Sequence, residues 1–303
     1  MPGSGYCPSR KKSFTIYFDL GGVWQSSSRP ISLAYEFGGL MKYTFVTACL
    51  NVGISVAMQT DKTAVRELIA LLHPLVTEHP LIRLGSRGDG GYLVPDDLNG
   101  VAACFSPGVD NRATFETSLI ERGIPCYLTD GSVDAAPITD DIVHFCKKFL
   151  GVTNNETTIT LDDWVNANKP GCEDLILQMD IEGAEWSVLL NVSRGTLRRF
   201  RIIVIELHDL ERLMDKHAFV IIKATFERLL QDFYIVHNHP NNYGRTVRRG
   251  SLVIPRVLEM TLIRKDRVTS IEFARIFPHR LDAKNDINRA DIPLPAPWFH
   301  QVT

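Results

Sequence analysis

Residues 175–186 read LILQMDIEGAEW and decide the fold of this chain. The stretch opens with an apolar, strand-forming run, and Asp180 and Glu182 follow it before Gly183. This order is typical of a buried parallel strand that ends and turns directly into a helix. Carboxylates at such a strand end lie where open α/β sheets bind ligands. The alternative interpretation is a surface turn with solvated acids, because a fold by itself does not establish a site.

The composition is that of an ordinary globular protein. The 303 residues are 45% hydrophobic and 22% charged, and their formal net charge is −2. With no basic bias, neither nucleic acid nor an anionic membrane surface is expected as a partner. The six cysteines are scattered and include no CxxC pair. We therefore expect reduced, packed thiols and a cytoplasmic location.

The first sixty residues are predicted to be an N-terminal extension that is poorly ordered or peripheral. Residues 1–40 are rich in Gly, Ser and Pro and show little periodicity. Residues 44–58 are mostly apolar but shorter than the roughly 20 residues of a spanning helix, so no stable membrane span is expected. Read from Met41, the stretch also resembles a secretory signal, which keeps a secretory or membrane-associated location open.

Apolar runs that alternate with helical patterns predict one α/β domain over residues 61–270. Strands are predicted within the segments 82–95, 101–105, 125–129, 157–160, 175–179, 201–208, 233–236 and 252–263. Helices are predicted to begin at 61, 161 and 185 and to span 113–122, 142–150 and 209–230. Residues 271–303 are predicted to be a tail that packs on the domain or forms coil.

A glycine turn followed by an acid marks a β-α-β unit that suits a cofactor. The turn at 106–111 contains Gly108, and Asp110 or Asn111 can cap the following helix. Asp130 ends the second strand of the unit, where a carboxylate accepts two hydrogen bonds from a ribose diol. The dinucleotide fingerprint GxGxxG is absent, because Gly108 is the only glycine of the turn. A nucleoside without phosphates, such as S-adenosyl-L-methionine, fits this turn better than a dinucleotide does.

Two further acids are candidates for cofactor contacts. Asp89 lies in a glycine-rich turn between two short strands, which permits close backbone approach to a ligand or forms a simple hairpin. Asp162 begins a short helix, where it caps that helix or meets an adenine amino group. Capping is the commoner use of an aspartate in this position.

The chain resembles the FkbM-type S-adenosylmethionine-dependent methyltransferases over residues 80–265. The blocks that carry the resemblance are DGGY at 89–92, the 106–111 turn with Asp130, TLD at 160–162, MDIEGAE at 179–185, IELH at 205–208 and HPNN at 239–242. The resemblance implies a Rossmann-like class I methyltransferase fold with a seven-stranded, mostly parallel sheet, an antiparallel last strand and helices on both faces. It also implies O-methylation of a small-molecule or glycan acceptor. The turn departs from the family pattern, because it lacks the usual second glycine.

These arguments give a set of expected site residues. The expected cofactor-binding residues are Asp89, Ser106, Gly108, Asp110, Asp130, Asp162, Asp180 and Glu182. A hydroxyl acceptor also needs a base, and the expected catalytic residues at the strand ends are His208, Asp180, Glu206 and His239. We favour His208 as the base, oriented by Asp180 or Glu206. The same side chains are of types that bind divalent metals, but no metal is assigned, because a structural role is the default for any single histidine.

Two other functions share parts of this pattern. A nucleotide-sugar-binding or NAD-binding oxidoreductase would share the β-α-β unit and Asp130, but it would have more glycines in the first turn. A non-catalytic binding module would keep the fold and lose the base.

Overall fold

The computed structural model describes residues 14–18, 39–51, 54–169 and 171–301. Of the segment 1–40 that the sequence predicts to be poorly ordered, residues 14–18 and 39–40 are described, and the remainder lies outside the described residues. Within the described part of the chain, no helix combines the length and the apolar character that crossing a membrane requires.

The secondary structure alternates strands and helices along most of the chain. The strands are β1 (Phe14–Phe18), β2 (Ile54–Met58), β3 (Leu75–Thr77), β4 (Leu81–Leu84), β5 (Tyr92–Pro95), β6 (Ala103–Pro107), β7 (Cys126–Thr129), β8 (Val143–Cys146), β9 (Phe149–Gly151), β10 (Thr158–Thr160), β11 (Leu175–Met179), β12 (Phe200–Leu207), β13 (Phe233–Pro240), β14 (Thr246–Arg249), β15 (Leu252–Pro255), β16 (Leu258–Arg264) and β17 (Ile271–Phe273). The helices are α1 (Gly39–Asn51), α2 (Lys62–Ala70), α3 (Thr114–Ile120), α4 (Leu161–Asn168), α5 (Glu185–Asn191), α6 (Arg194–Leu197) and α7 (Lys216–Asp232). Short 3-10 helices span Leu210–Met214, Lys265–Arg267 and Ala296–Trp298.

Seven strands form the central sheet in the order β13-β16-β12-β11-β6-β7-β8. Neighbouring strands from β12 to β8 are parallel, whereas β16 runs antiparallel to both β12 and β13. Every residue of β6, β7, β11 and β12 is buried, as expected for parallel strands that are covered on both faces. The prediction of a seven-stranded, mostly parallel sheet is confirmed, and the antiparallel strand is the last one in chain order.

The two faces of the sheet have separate apolar cores, because successive side chains of a strand point to opposite sides. On β12, Ile203 and Ile205 belong to one core, and Ile202 and Val204 belong to the other. Helices α2, α4, α5 and α7 contribute their buried residues to the first core, and α3 contributes its own to the second. Helices therefore cover both faces of the sheet.

The helix predicted over residues 142–150 is wrong. Val143–Cys146 forms β8 at the edge of the sheet, and Phe149–Gly151 forms β9, which pairs with β10 outside the sheet. Val143 and Phe145 both pack against the second core, which is a spacing of two that suits a strand. The spacing 143, 146, 149 also suits a helix, and pairing with β7 selects the strand.

The last predicted strand, over residues 252–263, is two elements in the structure. Residues of β15 pair with β14 in a separate hairpin, and β16 alone enters the central sheet. Pro255 ends β15, as expected because proline cannot donate to a strand ladder.

The C-terminal tail returns to the domain. Trp298 is fully buried in the first core, and its Nε1 donates a hydrogen bond of 2.9 Å to the carbonyl of Val253. Earlier in the tail, Asp282 Oδ1 lies 2.8 Å from Nε2 of His237 on β13. The tail thereby covers the β13 side of the sheet.

Candidate active site

The turns after β6, β7 and β11 meet at one edge of the sheet. The Gly108 N–H donates to the Thr129 carbonyl at 2.9 Å, and the Asp180 N–H donates to the Pro107 carbonyl at 3.3 Å. A cavity of about 650 Å³ opens at this edge, which we call the rim. Six of the eight expected cofactor-binding residues line the cavity: Asp89, Gly108, Asp110, Asp130, Asp180 and Glu182.

Gly108 is the point of closest approach between two of these turns. Its φ is +83°, and a Cβ atom at this position would lie 1.6 Å from the carbonyl oxygen of Asp180. Only glycine fits such a contact without displacing the backbone. The single glycine of the turn therefore lets the chain beyond β6 lie directly against the chain beyond β11.

Three non-glycine residues at the rim have strained backbone conformations. Asp110, Glu182 and Asp209 have φ values of 42°, 57° and 57°. They follow β6, β11 and β12, which are neighbours in the sheet. Residues other than glycine rarely adopt positive φ, and such strain is concentrated at functional sites.

Asp130 is buried and stabilises the turn after β6. Its Oδ2 accepts the N–H of Asp110 at 3.0 Å, and its Oδ1 accepts the N–H and hydroxyl of Ser132 at 2.7 and 2.6 Å. A carboxylate offers about four acceptor positions, so these three bonds leave one for a ligand. The structure thus brings Asp130 to the cavity, with less capacity for a diol than the sequence alone implies.

Asp89 also lines the cavity, from the glycine-rich loop between β4 and β5. The loop is held by the Arg83 guanidinium, which donates to the carbonyls of Ser86, Gly88 and Gly91 at 2.6, 3.2 and 3.0 Å. Asp89 itself is half-exposed and pairs with Arg112 at 3.0 Å. The loop is therefore more than a simple hairpin, because its backbone is fixed beside the cavity.

Ser106 lies beneath the cavity and does not line it. Its hydroxyl contacts the carboxyl of Glu116 and, at 2.5 Å, Oε1 of Gln178. Burial raises the pKa of Glu116. Both Glu116 and Gln178 line the cavity. Ser106 therefore joins two polar side chains that line the cavity.

Asp162 is directed to another helix and is absent from the cavity lining. Its carboxylate accepts from the N–H and hydroxyl of Ser193 at 2.8 and 2.5 Å and from the Thr196 hydroxyl at 2.5 Å. The cap of its own helix is Thr160, whose hydroxyl accepts from the Asp163 N–H. Asp162 therefore joins α4 to α6. It neither lies where it could contact an adenine in the cavity nor caps α4.

The N-cap predicted for the helix after Gly108 also differs from the structure. The N-cap of α3 is Ala113, which offers no side-chain acceptor. Asp110 instead uses its N–H toward Asp130, and Asn111 donates its amide to the Asp110 carboxylate at 2.8 Å. The turn is thus stabilised from the β7 side.

His208 belongs to a cluster of acids at the rim. Its Nδ1 lies 3.1 Å from Oε1 of Glu185, which is fully buried. The same carboxylate oxygen accepts the backbone N–H groups of Ile181 and Gly183 at 3.0 and 3.2 Å. The other ring nitrogen, Nε2, lies 3.7 Å from Oε1 of Glu206 and 3.9 Å from Oδ1 of Asp180. We call these four side chains the His208 cluster.

The pKa values of the His208 cluster are perturbed by burial and by mutual charge. Burial raises the pKa of Asp180 to about 7, and Glu182 and Glu185 add to this against the opposing charge of His208. Burial also raises the pKa of Glu206, and the charges of Asp180 and Glu259 raise it further. Burial by itself lowers the pKa of His208, but the Glu185 hydrogen bond and charge raise it to about 9. Such perturbation is typical of functional sites.

His239, the fourth expected catalytic residue, is separated from this cluster by a strand. It lies on β13, and β16 runs between β13 and β12. Its Nδ1 lies 3.5 Å from Oε2 of Glu259, and its Nε2 lies 3.4 Å from Oδ1 of Asp291 in the tail. The side chain is buried and, like those of His208 and Glu206, does not line the cavity. The structure therefore brings together three of the four expected catalytic residues and sets His239 apart.

Sequence reasoning did not single out three residues of the site, namely Glu116, Gln178 and Glu185. Gln178 interrupts the apolar run of β11, and Glu116 lies next to Phe115 on the buried face of α3. A polar residue inside an apolar run indicates a hydrogen-bonded or functional group, and this signal could have identified Gln178. Glu116 and Glu185 stand mostly among polar and small residues, so their burial is visible only in the structure.

A methyltransferase family matches the part of the chain that supplies most of the cavity lining. Residues 108–232 match the methyltransferase FkbM domain. The matched range runs from the turn after β6 to the end of α7 and includes Asp130, Asp180 and His208. The resemblance to FkbM-type methyltransferases found in the sequence is thereby confirmed over this range. The match supports S-adenosyl-L-methionine as the cofactor and methylation as the reaction.

Other comparisons are more distant. No curated protein matches the chain. Among solved structures, a fibrillarin/Nop5p complex is 13% identical, with 55% of this chain and 74% of that chain covered and a TM-score of 0.34. A 1,6-didemethyltoxoflavin-N1-methyltransferase from Burkholderia thailandensis, with bound 1,6-didemethyltoxoflavin and S-adenosylhomocysteine, is also 13% identical, with 78% and 93% covered and a TM-score of 0.28.

Proposed function

We propose that this chain, whose residues 108–232 match the methyltransferase FkbM domain, is a class I O-methyltransferase that transfers a methyl group from S-adenosyl-L-methionine to a hydroxyl of a sugar or natural-product-like acceptor. The proposal is supported mainly by the arrangement of residues at the rim. One cavity of about 650 Å³ adjoins the turn after β6, Asp130 and the acids that follow β11, and it is within the usual size of small-molecule sites.

The charge of the cavity supports a cationic cofactor. Its lining contains six acids and one cationic residue, Arg112; the acids are Asp89, Asp110, Glu116, Asp130, Asp180 and Glu182. S-adenosyl-L-methionine carries a positive sulfonium and a positive amino group, which such a lining attracts. A dinucleotide would bring phosphates into the same acidic surroundings. The charge of the lining therefore favours the methyltransferase over the NAD-binding oxidoreductase.

The cofactor positions extend along the β6 and β7 side of the cavity. Asp130 has one acceptor position left for a ribose hydroxyl, and Asp89 and Asp110 supply further carboxylates near it. Gly108 allows the ligand to approach the backbone of the turn. The acids that follow β11, Asp180 and Glu182, then adjoin the methyl group and the acceptor.

The reaction is an in-line displacement. The C–S bond of the sulfonium breaks as the acceptor oxygen forms a C–O bond with the methyl carbon, and S-adenosylhomocysteine leaves. Alignment of the two reactants lowers much of the barrier, and a positioned base contributes about 10²–10⁴-fold. The hydroxyl proton passes to the His208 cluster.

The pKa values support a division of roles within that cluster. With a pKa of about 9, His208 is protonated at neutral pH, so it is poorly suited to act as the base that the sequence favoured. Its carboxylate neighbours, Asp180 and Glu206, are the proton acceptors that the cluster offers. In this proposal His208 is a cation that orients and stabilises them.

Isothermal titration with S-adenosyl-L-methionine, S-adenosylhomocysteine and NAD tests the cofactor. We expect both adenosyl ligands to bind one per chain and NAD to bind more weakly. Tighter binding of NAD would overturn the proposal and favour the oxidoreductase. A labelled-methyl transfer screen over sugars, natural-product alcohols and peptides then tests the acceptor, and cofactor binding without transfer to any hydroxyl would favour a binding module.

The role of Asp130 has a matched test. We expect Asp130→Asn to weaken S-adenosyl-L-methionine binding about 10–100-fold, because a hydrogen bond to a charged group contributes about 1.5–3 kcal/mol. Asp141→Asn makes the same chemical change at an exposed position outside the cavity lining. Unchanged affinity in Asp130→Asn, with wild-type affinity also in the control, would remove Asp130 from the cofactor site.

A further inference from the structure

We propose that the rim also holds a divalent metal ion, with Asp180, Glu182 and His208 as its ligands. One oxygen of each carboxylate and one ring nitrogen of His208 lie within 4.8 Å of one another. Metal–ligand bonds of about 2.0–2.2 Å separate two opposite ligands by about 4.4 Å, so small side-chain rotations would close the triad. The role of the ion in catalysis rests on the proposed function, whereas its binding does not.

The orientation of His208 is the first support for this site. Metal-bound histidines commonly donate their other ring N–H to a carboxylate, which sets the tautomer and the ring angle. Glu185 is placed to accept from Nδ1 at 3.1 Å, and its oxygen is held by the N–H groups of Ile181 and Gly183. The His208 carbonyl is fixed in turn by Trp186 Nε1 at 2.9 Å. The Nε2 atom is thereby directed toward Asp180 and Glu206, and binding of the ion would replace the proton that this atom carries in the metal-free protein.

Buried oxygens without hydrogen bonds are the second, independent support. Within the described part of the chain, Oδ1 of Asp180 and Oε2 of Glu206 have no hydrogen-bond partner. Glu206 is only 5% exposed, and its other oxygen lies 3.7 Å from Nε2 of His208. A buried carboxylate oxygen without a partner is costly and calls for a cation or donor beside it. A divalent ion at this point would bind the Asp180 oxygen and offset the negative charge that surrounds Glu206.

The position of Glu182 provides the third support. Its backbone has φ of +57°, directly after the carboxyl end of β11. This conformation reverses the chain so that Asp180 and Glu182 direct oxygens to one point beside His208. In the described residues the same ligand geometry is not found around His239, although that histidine also adjoins two acids.

The ligand set favours a particular class of ion. Two carboxylates suit Mg²⁺ and Mn²⁺, whereas imidazole suits first-row transition metals. The mixed set therefore points to Mn²⁺ or a related divalent ion with open positions for an acceptor oxygen. Such an ion lowers the pKa of a hydroxyl that it binds. The methyl group still passes from sulfur to oxygen, and the hydroxyl proton passes to Glu206, which lies outside the ligand set.

Electron paramagnetic resonance with Mn²⁺ tests the site on the full chain after chelator treatment. We expect one saturable Mn²⁺ per chain. Glu182→Gln and His208→Asn should weaken Mn²⁺ binding at least about tenfold, and Glu185→Gln should weaken it about 10–100-fold, because outer-sphere partners have effects of this size. Glu67→Gln makes the same chemical change at an exposed position of α2 and should bind Mn²⁺ as the wild type does.

Two controls make the outcome decisive. Glu182 is exposed, so Glu182→Gln leaves the core intact, and circular dichroism of each variant checks the fold. Absence of saturable Mn²⁺ binding, or equal binding by wild type, Glu182→Gln and His208→Asn, would overturn the metal site. Titration of S-adenosyl-L-methionine in the same samples separates the two proposals. If the protein binds S-adenosyl-L-methionine but not Mn²⁺, only the metal site is overturned. If it binds Mn²⁺ but not S-adenosyl-L-methionine, the proposed function is overturned.

Discussion

Two histidines, His208 directly after β12 and His239 on β13, have similar electrostatic surroundings and different exposure. Each lies near two or more carboxylates, and in each case neighbouring acids raise the pKa to about 9 against the effect of burial. The His208 side chain is 15% exposed and adjoins Asp180, which lines the cavity. The His239 side chain is 3% exposed. A perturbed pKa therefore identifies a charged cluster, whereas the exposure of its side chains decides whether the cluster can contact a ligand.

The tail accounts for the difference. Asp291 lies beside His239, Asn285 donates its amide to Glu259 at 2.5 Å, and Asp282 pairs with His237. These contacts enclose the β13 side of the sheet, whereas no tail residue is among those that line the cavity beside β11. We therefore interpret His239 as a clamp between sheet and tail, and His208 as part of the active site.

The largest expected effect is on catalysis. His208→Asn keeps a polar side chain but removes the cation of the His208 cluster, and we expect the rate of methyl transfer to fall about 10²–10³-fold, because a preorganised charge at the site is lost. Affinity for S-adenosyl-L-methionine should change little, because His208 is absent from the cavity lining. The measurement is kcat with the acceptor from the labelled-methyl screen. An equal loss of activity in a fully folded His239→Asn variant would contradict the different roles assigned to the two histidines.

The next effect is on stability. We expect His239→Asn to lower the free energy of unfolding by about 1–3 kcal/mol near pH 6, because it leaves buried Glu259 without its cationic partner. The fold-change in methyl transfer should be small once the variant is folded. Urea denaturation of wild type and variant gives the difference, and no loss of stability would show that the His239 contacts do not clamp the tail.

The pH dependence of the free energy of unfolding is a second test of the His239 contacts. The folded pKa of His239, about 9, lies above its ordinary value of 6.5, so its contribution to stability is complete below pH 6.5. Stability is then lost as the pH rises from 6.5 to about 9, because the unfolded chain gives up this proton first. The difference in unfolding free energy between wild type and His239→Asn should narrow over this window. A constant difference from pH 6 to pH 9 would contradict the assigned charge.

The smallest effect concerns the tail partner. Asp291 lies 3.4 Å from Nε2 of His239, and its side chain is 28% exposed, so Asp291→Asn should lower the free energy of unfolding by less than about 1 kcal/mol. Asp141 is exposed and lies outside the tail, and Asp141→Asn makes the same chemical change as a control. A larger loss of stability in Asp291→Asn would show that the tail contributes more to the clamp than its distance indicates.

The strands next to the cavity could be predicted from the sequence, and several helix and loop assignments could not. The runs of β6, β7, β11 and β12 are mostly apolar, and burial on both faces leaves them little alternative. The segment 142–150 contains spacings for both a helix and a strand, so only its pairing with β7 decides it. Asp162 follows a strand as Asp130 does, and only the position of α6 shows that it bonds Ser193 instead of facing the cavity.

The sequence by itself determined that acids and histidines follow the parallel strands, because the alternation of apolar runs and polar turns is written locally along the chain. Only the tertiary structure decided which of them face the cavity. The insertion of β16 between β12 and β13 moves His239 one strand away from Glu206, and the tail then covers it. The buried Glu185 that orients His208 was likewise decided by packing, since its carboxylate must find donors wherever α5 places it. Strand order and burial depend on contacts between distant residues, and such contacts are not readable from a local pattern.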